Sequence, residues 1–118
     1  MSGVKIKRIY EPLSPADGHR ILVDRLWPRG IKKEDANIDK WLKEIAPSTA
    51  LRKWFNHEPE KWLQFKKKYH AELKNSPTLE ELLTYVHEYK TVTLLYASKE
   101  KEYNHAVVLQ QLISDHTW

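Results

Sequence analysis

Two short runs of β-favouring residues, at positions 21–23 and 91–97, constrain the fold more than any other feature of this sequence. The first reads Ile-Leu-Val with no polar break, which is typical of a strand covered on both faces. The second reads Thr-Val-Thr-Leu-Leu-Tyr-Ala and is rich in β-branched and aromatic residues. Helical patterns fill the stretch between them, and two strands joined by a helical crossover pair in parallel. The sequence therefore predicts a small layered α/β domain with a short, mainly parallel sheet flanked by helices.

Periodicity and capping residues predict the other elements. Alternation at residues 4–10 indicates an edge strand. Between residues 35 and 45 the apolar side chains recur at i, i+3, i+4 and i+7, which predicts a helix; they are Ile38, Trp41, Leu42 and Ile45. Further helices are predicted over residues 48–55, 59–73, 77–86 and 103–114. Thr78 and Glu81 have the spacing of a capping box for the fourth of these five helices.

Composition limits the chain to one soluble domain. Its 118 residues suit a single domain spanning 1–118, and 41% hydrophobic against 31% charged residues indicates neither disorder nor membrane insertion. No apolar run reaches the ~20 residues of a membrane span, so we expect no membrane partner and a cytoplasmic location. The absence of cysteine excludes a thiol nucleophile, a disulfide framework and thiolate-based zinc sites.

The charge balance is basic. Twenty Lys and Arg against 16 Asp and Glu give a net charge of +4. Such an excess favours nucleic acid, a nucleotide or another phosphate as a partner. The same charge also suits a domain that is merely kept soluble, and the charges are mixed along most of the chain.

Polar side chains follow both predicted buried strands. Asp24, Arg25, Trp27 and Arg29 come after the first strand, in the run Val-Asp-Arg-Leu-Trp-Pro-Arg-Gly at residues 23–30. A second group ends the later strand or opens the last helix: Tyr96, Asn104 and His105. Because the carboxyl ends of parallel strands meet at one edge of a sheet, we expect both groups to border one ligand site.

The residues of the first group each have two interpretations. Asp24 is a base or a substrate-binding carboxylate, or it forms an ion pair with Arg25 or Arg29 that braces the loop. The guanidinium fork of either arginine fits phosphate or carboxylate with two hydrogen bonds. Trp27 is a stacking wall for a ligand ring or a lid on the core.

The later residues also have alternatives. Tyr96 either reaches the site through its hydroxyl or is an ordinary strand aromatic. Asn104 binds ligand or simply caps the last helix, and His105 is an acid or base, or a packing residue. Arg52 and His57 flank the short helix over residues 48–55 and either close over the site or form a solvated face and a helix cap.

Other common sites have no signature here. No pair of histidines has metal-motif spacing, so no metal is expected, and His19, His70, His87 and His116 are interpreted as structural or surface residues. With three glycines in all there is no phosphate loop, and no serine is flanked as in the common hydrolases. The sequence leaves the cofactor unknown.

Several motifs together resemble one family. They are Asp24-Arg-Leu-Trp-Pro-Arg-Gly30, Ala46-Pro-Ser48, Leu51-Arg-Lys-Trp-Phe55, His57, Leu94-Leu-Tyr-Ala97 and Asn104-His-Ala106. The chain resembles the YeaO-like group of small bacterial proteins, catalogued as domain of unknown function 488, over nearly its whole length. The resemblance implies a compact α/β fold and no particular reaction. It also implies that longer relatives carry cysteines at the positions of Tyr96 and Asn104 and an arginine at that of Ala106, so a mechanism using that thiol or arginine is in doubt for this chain.

Three functions remain open at this point. The first is an enzyme or sensor that binds a small anionic ligand, phosphate- or nucleotide-like, at the shared strand ends. The second is a nucleic-acid-binding module, suggested by the basic balance and by Trp27 and Trp54 near arginines. The third is a structural or interaction domain. The sequence favours the first, because polar residues gather at two loop openings rather than along one basic face.

Overall fold

A four-stranded parallel sheet is the centre of the fold. The computed structural model describes residues 3–115; His116 and the two ends of the predicted 1–118 domain lie outside them. The sheet has the order β1-β4-β2-β3, with every neighbouring pair parallel. Its strands are β1 (Gly3–Arg8), β2 (His19–Leu22), β3 (Lys40–Trp41) and β4 (Thr91–Tyr96). The parallel α/β fold is confirmed, and β1 lies at an edge as predicted.

The helices α2 to α5 pack their apolar residues on one face of the sheet. The described residues form helices α1 (Lys33–Ala36), α2 (Thr49–Phe55), α3 (Trp62–Leu73), α4 (Pro77–Glu88) and α5 (His105–Ser114), with short 3-10 turns at Pro15–Asp17, Lys43–Ile45 and Pro59–Lys61. The main core joins alternate residues of β2 and β4 to buried side chains of α2, α3, α4 and α5. The opposite face carries a smaller cluster around Leu22 and Leu95, which side chains of two loops and of β3 cover: Trp27, Ile31, Ile38 and Trp41.

The prediction of a helix over residues 35–45 was wrong. Helix α1 ends at Ala36 because Asn37 takes a left-handed conformation, with φ of 52°. Asp39 then pairs with Arg20 through both its backbone N–H and its carboxylate, at 2.8 Å each. The chain therefore continues as strand β3 and a 3-10 turn instead of a helix.

The cap of helix α4 was also assigned to the wrong residue. Ser76 is the N-cap, and its hydroxyl accepts a hydrogen bond from the Leu79 N–H at 3.3 Å. Pro77 occupies the first helical position, where a missing N–H costs nothing. Thr78 therefore lies inside the helix rather than at its cap.

One glycine is fixed by a close approach between β2 and β4. Gly18 has φ of +67°, and a Cβ at this position would overlap the Thr91 carbonyl oxygen. Only glycine tolerates both the left-handed backbone and the contact. Within residues 3–115, no helix is long and apolar enough to cross a membrane.

Candidate functional site

The ends of β2 and β4 meet at one edge of the sheet, as the sequence predicted. The Asp24 carboxylate, just after β2, accepts a hydrogen bond from the Ala97 N–H, just after β4, at 2.8 Å. A cleft of about 790 Å³ opens at this edge. Of the nine candidate residues, eight line it: Asp24, Arg25, Trp27, Arg29, Arg52, His57, Asn104 and His105. Tyr96 does not.

Asp24 joins the two loops, but not through an arginine. Its Oδ2 accepts from Ala97 N, its Oδ1 lies 3.2 Å from His105 Nε2, and its carbonyl accepts from Trp41 Nε1 at 2.7 Å. The expected ion pair with Arg25 or Arg29 does not occur among the residues that the structure describes. Asp24 therefore links the two loops through a backbone amide and a histidine, and not through the ion pair with an arginine that was one of its two interpretations.

His105 is the first residue of α5 and has a defined tautomer. Its Nε2 lies 2.9 Å from the Val23 carbonyl oxygen, which can only accept, so Nε2 carries a proton. The Tyr69 ring packs edge-on against the imidazole at 6.3 Å. No hydrogen bond engages Nδ1 within residues 3–115, and His105 is one of the residues that line the cleft.

The three arginines differ in how far the protein already uses them. Arg25 Nη2 donates to the carbonyls of Ala46 at 3.0 Å and Pro47 at 3.4 Å, while its buried Nε has no partner in the described part of the chain. Arg29 and Arg52 are exposed, and neither guanidinium has a hydrogen bond or ion pair with any residue from 3 to 115. The cleft therefore holds one anchored arginine and two free ones.

Aromatic rings form much of the cleft wall. Phe55 and Phe65 stack at 4.4 Å between centroids, and Tyr103 joins them through Trp62, against which it packs edge-on at 5.4 Å. Phe55 and Phe65 are only 5% and 2% exposed, so they are core residues that lie directly behind the cleft lining. Periodicity predicts their burial but not their position beside the cleft, because that position depends on where the neighbouring loops end.

Trp27 is held by the protein itself. Its Nε1 donates to the Ile31 carbonyl at 2.6 Å, and its ring packs edge-on against Trp41 at 5.4 Å. The interpretation as a lid on the core fits this position, since Trp27 belongs to the smaller apolar cluster.

Two charged residues of the cleft were missed by the sequence analysis. Lys99 and Glu100 lie in the loop after β4. The N–H groups of Glu102, at 2.9 Å, and Tyr103, at 3.2 Å, donate to the Glu100 carboxylate and lower its pKa. His57 faces the same opening from a left-handed backbone, with φ of 56°. No signal in the sequence marks the loop after β4 as part of a site.

Among the described residues, no group of three His, Asp or Glu side chains could hold a metal ion.

Comparisons with known proteins agree on one family. The model of DUF488-N3i, described as the inactive DUF488-N3 subclade, matches residues 3–117. The chain belongs to this family. It is 47% identical to the uncharacterized protein YeaO of Escherichia coli K12 over 106 residues, which cover 90% of this chain and 92% of that one. It is 41% identical to an uncharacterized protein of Mycobacterium tuberculosis H37Rv over 111 residues, covering 94% and 93%. No solved structure matches the chain significantly.

In this DUF488-N3i chain, two positions that the family resemblance associates with cysteine serve packing and capping. Tyr96 is 3% exposed within the main core. Burial raises the pKa of its hydroxyl, as does Glu11, while Arg8 and a hydrogen bond with Asn104 act in the opposite direction. Asn104 caps α5: its Oδ1 accepts from Val107 N at 3.1 Å and its Nδ2 donates to the Glu100 carbonyl at 2.8 Å. The cap interpretation of Asn104 is confirmed.

Proposed function

We propose that the cleft at the ends of β2 and β4 binds a small anionic ligand of the phosphate or nucleotide class. The observation that carries the proposal is an imbalance of free charge. Arg29, Arg52 and Lys99 have no carboxylate partner within residues 3–115, whereas the cleft carboxylates of Asp24 and Glu100 already accept N–H donors. Unpaired guanidinium groups bind phosphate oxygens through two parallel hydrogen bonds.

The size and lining of the cleft support an organic anion. A volume of about 790 Å³ lies in the usual range of small-molecule sites, ~300–1,000 Å³. The half-buried Tyr103 ring offers an apolar surface for a base or another ring, and the buried rings of Phe55 and Phe65 lie behind the cleft lining. His105 Nδ1 adds a polar contact on the α5 side. Together these features suit a nucleotide better than a free inorganic ion.

We propose binding without turnover. The matching family is described as an inactive subclade. His105 Nε2 is shared between Val23 and Asp24, so the pair fixes the junction of the two loops. The role assigned to Asp24 and His105 is therefore to hold the cleft in shape and to present Nδ1 to the ligand.

A thermal-shift panel tests the proposal. The purified protein would be melted with inorganic phosphate, nucleoside monophosphates and nucleoside diphosphates, each at increasing concentration. A ligand at 100 times its Kd stabilises by ~2.7 kcal/mol, which for a chain of this size is ~10 °C in Tm. We expect the largest shift from a nucleotide. No shift from any phosphate compound would refute the proposal.

Matched variants locate the binding site. Arg29→Ala with Arg52→Ala should abolish the ligand-induced shift while leaving the Tm of the free protein within ~2 °C, because both side chains are exposed and unpaired. Lys33→Ala with Lys90→Ala removes the same charge from exposed positions outside the cleft and should keep the shift. An equal loss of the ligand-induced Tm shift in both double variants would show that net charge, rather than this cleft, attracts the ligand.

A further inference from the structure

The net positive charge of the chain resides in one segment. Residues 51–74 contain seven Lys and Arg and three Glu, whereas the rest of the chain contains 13 Lys and Arg and 13 Asp and Glu. The entire net charge of +4 therefore belongs to 24 residues. This segment forms α2, the turn after it and α3.

Most cations of this segment are not neutralised by the protein. Among the described residues, only Lys61 has a carboxylate partner, Glu58 at 3.1 Å. Glu72 instead accepts from the N–H and hydroxyl of Ser48, at 2.9 and 2.6 Å, which fixes its carboxylate at the start of α2. The lysines of α3 therefore present their charge to solvent.

The geometry of α3 spreads these lysines over its outer half. Phe65, Tyr69 and Leu73 are buried at intervals of four, so the helix has one defined inner face. Lys67 and Lys74 are seven residues apart, which places them on the same outer face with ~10 Å of helix rise between them. Lys66 and Lys68 lie on either side of that line, since successive residues turn by about 100°.

Two tryptophans set the positions of the flanking ammonium groups. Lys61 Nζ and Lys68 Nζ lie 5.0 Å and 5.2 Å from the centroid of the Trp54 ring. Lys66 Nζ lies 6.0 Å from the centroid of the Trp62 ring. Both indoles are half-buried, and Trp62 also packs against the rings of Phe55, Phe65 and Tyr103. We call Lys66, Lys67, Lys68 and Lys74, with Trp54 and Trp62, the basic face.

We propose that the basic face binds the phosphate backbone of single-stranded nucleic acid without sequence preference. Unpaired lysines along a helix match a chain of phosphates, and adjacent indoles provide surface for unstacked bases. A bilayer surface fits less well, because Leu63 is the one exposed large apolar side chain of α3 and cannot anchor a helix alone. The proposal does not depend on ligand binding in the cleft, whose cations Arg29, Arg52 and Lys99 lie outside α3 and outside the basic face.

Fluorescence anisotropy of a dye-labelled 20-nucleotide single strand tests this proposal. With four lysines engaged, the slope of log affinity against log salt should be about −3, so raising salt from 50 to 200 mM lowers affinity by roughly 50-fold. The triple variant Lys67→Gln, Lys68→Gln, Lys74→Gln should bring the slope about 2 units closer to zero. The matched control Lys32→Gln, Lys33→Gln, Lys90→Gln removes the same charge from exposed sites elsewhere and should leave the slope unchanged.

Four outcomes would overturn the proposal. These are no binding at 50 mM salt, equal loss of affinity in both triple variants, tighter binding to a duplex of the same sequence, and equally tight binding of polyglutamate or of vesicles containing anionic lipid. The last would mean that the bases contribute nothing and that the face attracts any polyanion. Circular dichroism of both triple variants checks that α3 stays folded, as expected for substitutions at exposed helix positions.

Discussion

Replacing Asp24 by alanine should loosen the junction between the loops after β2 and β4. The carboxylate accepts the Ala97 N–H at 2.8 Å and lies 3.2 Å from His105 Nε2, and its side chain is only 17% exposed. A hydrogen bond to a charged group contributes ~1.5–3 kcal/mol, and alanine also leaves the Ala97 N–H without an acceptor. His105 keeps its hydrogen bond to the Val23 carbonyl, so losing the contact with Asp24 removes only part of its hydrogen bonding. We expect destabilisation of about 3 kcal/mol for Asp24→Ala.

Asparagine at this position separates the hydrogen bond from the charge. Its side-chain oxygen can still accept from Ala97 N, but its amide N–H groups then face the protonated His105 Nε2, so Asp24→Asn should cost about 2 kcal/mol. Urea unfolding followed by tryptophan fluorescence gives both values, and melting should show losses of ~12 and ~8 °C. Glu34→Ala, at an exposed position of α1, is the control and should stay within ~0.5 kcal/mol. Equal costs for the two Asp24 variants, or an Asp24→Ala variant as stable as the parent, would refute the assigned role.

Three further predictions concern the framework around the site. Gly18→Ala should cost more than about 3 kcal/mol in urea unfolding, because φ is +67° and the new Cβ would overlap the Thr91 carbonyl; an unchanged midpoint would contradict that close approach. Tyr69→Phe should cost about 1–2 kcal/mol, since the buried hydroxyl donates to the Ile45 carbonyl at 2.6 Å. Burial also raises the pKa of Tyr69, so one tyrosine should resist ionisation in an absorbance titration until the protein unfolds, and this step should be missing from the phenylalanine variant. Burial of Asp17 raises its pKa, but hydrogen bonds from a lysine, a backbone amide and an arginine outweigh it, so the net pKa is lowered. Its stabilisation is complete above the ordinary carboxyl pKa of ~3.9 and is lost as pH falls through the lower folded value, so the stability gap between the parent and Asp17→Asn should narrow from pH 6 to pH 2.

The sheet was predictable because its buried strands are uniform in composition. Residues 21–23 and 91–97 form short runs that are rich in apolar and β-branched residues. The helical patterns between them require a crossover connection. Parallel pairing then follows, and with it the meeting of Asp24 with the loop after β4. Six candidate residues line the cleft because they follow a buried strand or open the last helix, and locating these points needs no knowledge of side-chain direction. Arg52 and His57 reach the same cleft from α2 and the turn after it.

The region from 35 to 45 could not be predicted from its period. Ile38 and Trp41 pack on the smaller cluster, whereas Leu42 and Ile45 belong to the main core on the other face of the sheet. A chain that crosses a sheet edge can place i, i+3, i+4 and i+7 in two separate apolar environments. The spacing of these residues is then the same as in one apolar stripe of an amphipathic helix, although no helix forms.

Contacts made by polar side chains were the least predictable feature of the site. Asp24 met a histidine 81 positions away instead of the arginine beside it in sequence, and Tyr96 turned into the core. A strand residue points to one face or the other according to register, and the sequence does not give the register. The strand end could be located, but the direction of its last side chain could not.

The cleft side chains divide into those the fold has already engaged and those it has left free. Asp24 and Asn104 use their polar atoms on backbone groups, so they must break existing bonds to contact a ligand. Arg29 and Arg52 have no such bonds within residues 3–115. Substituting Asn104 by alanine removes a helix cap and should cost ~1 kcal/mol of stability, whereas substituting either arginine should change ligand response with little change in stability. Comparing the two effects for each variant therefore distinguishes residues that shape the cleft from residues that bind in it.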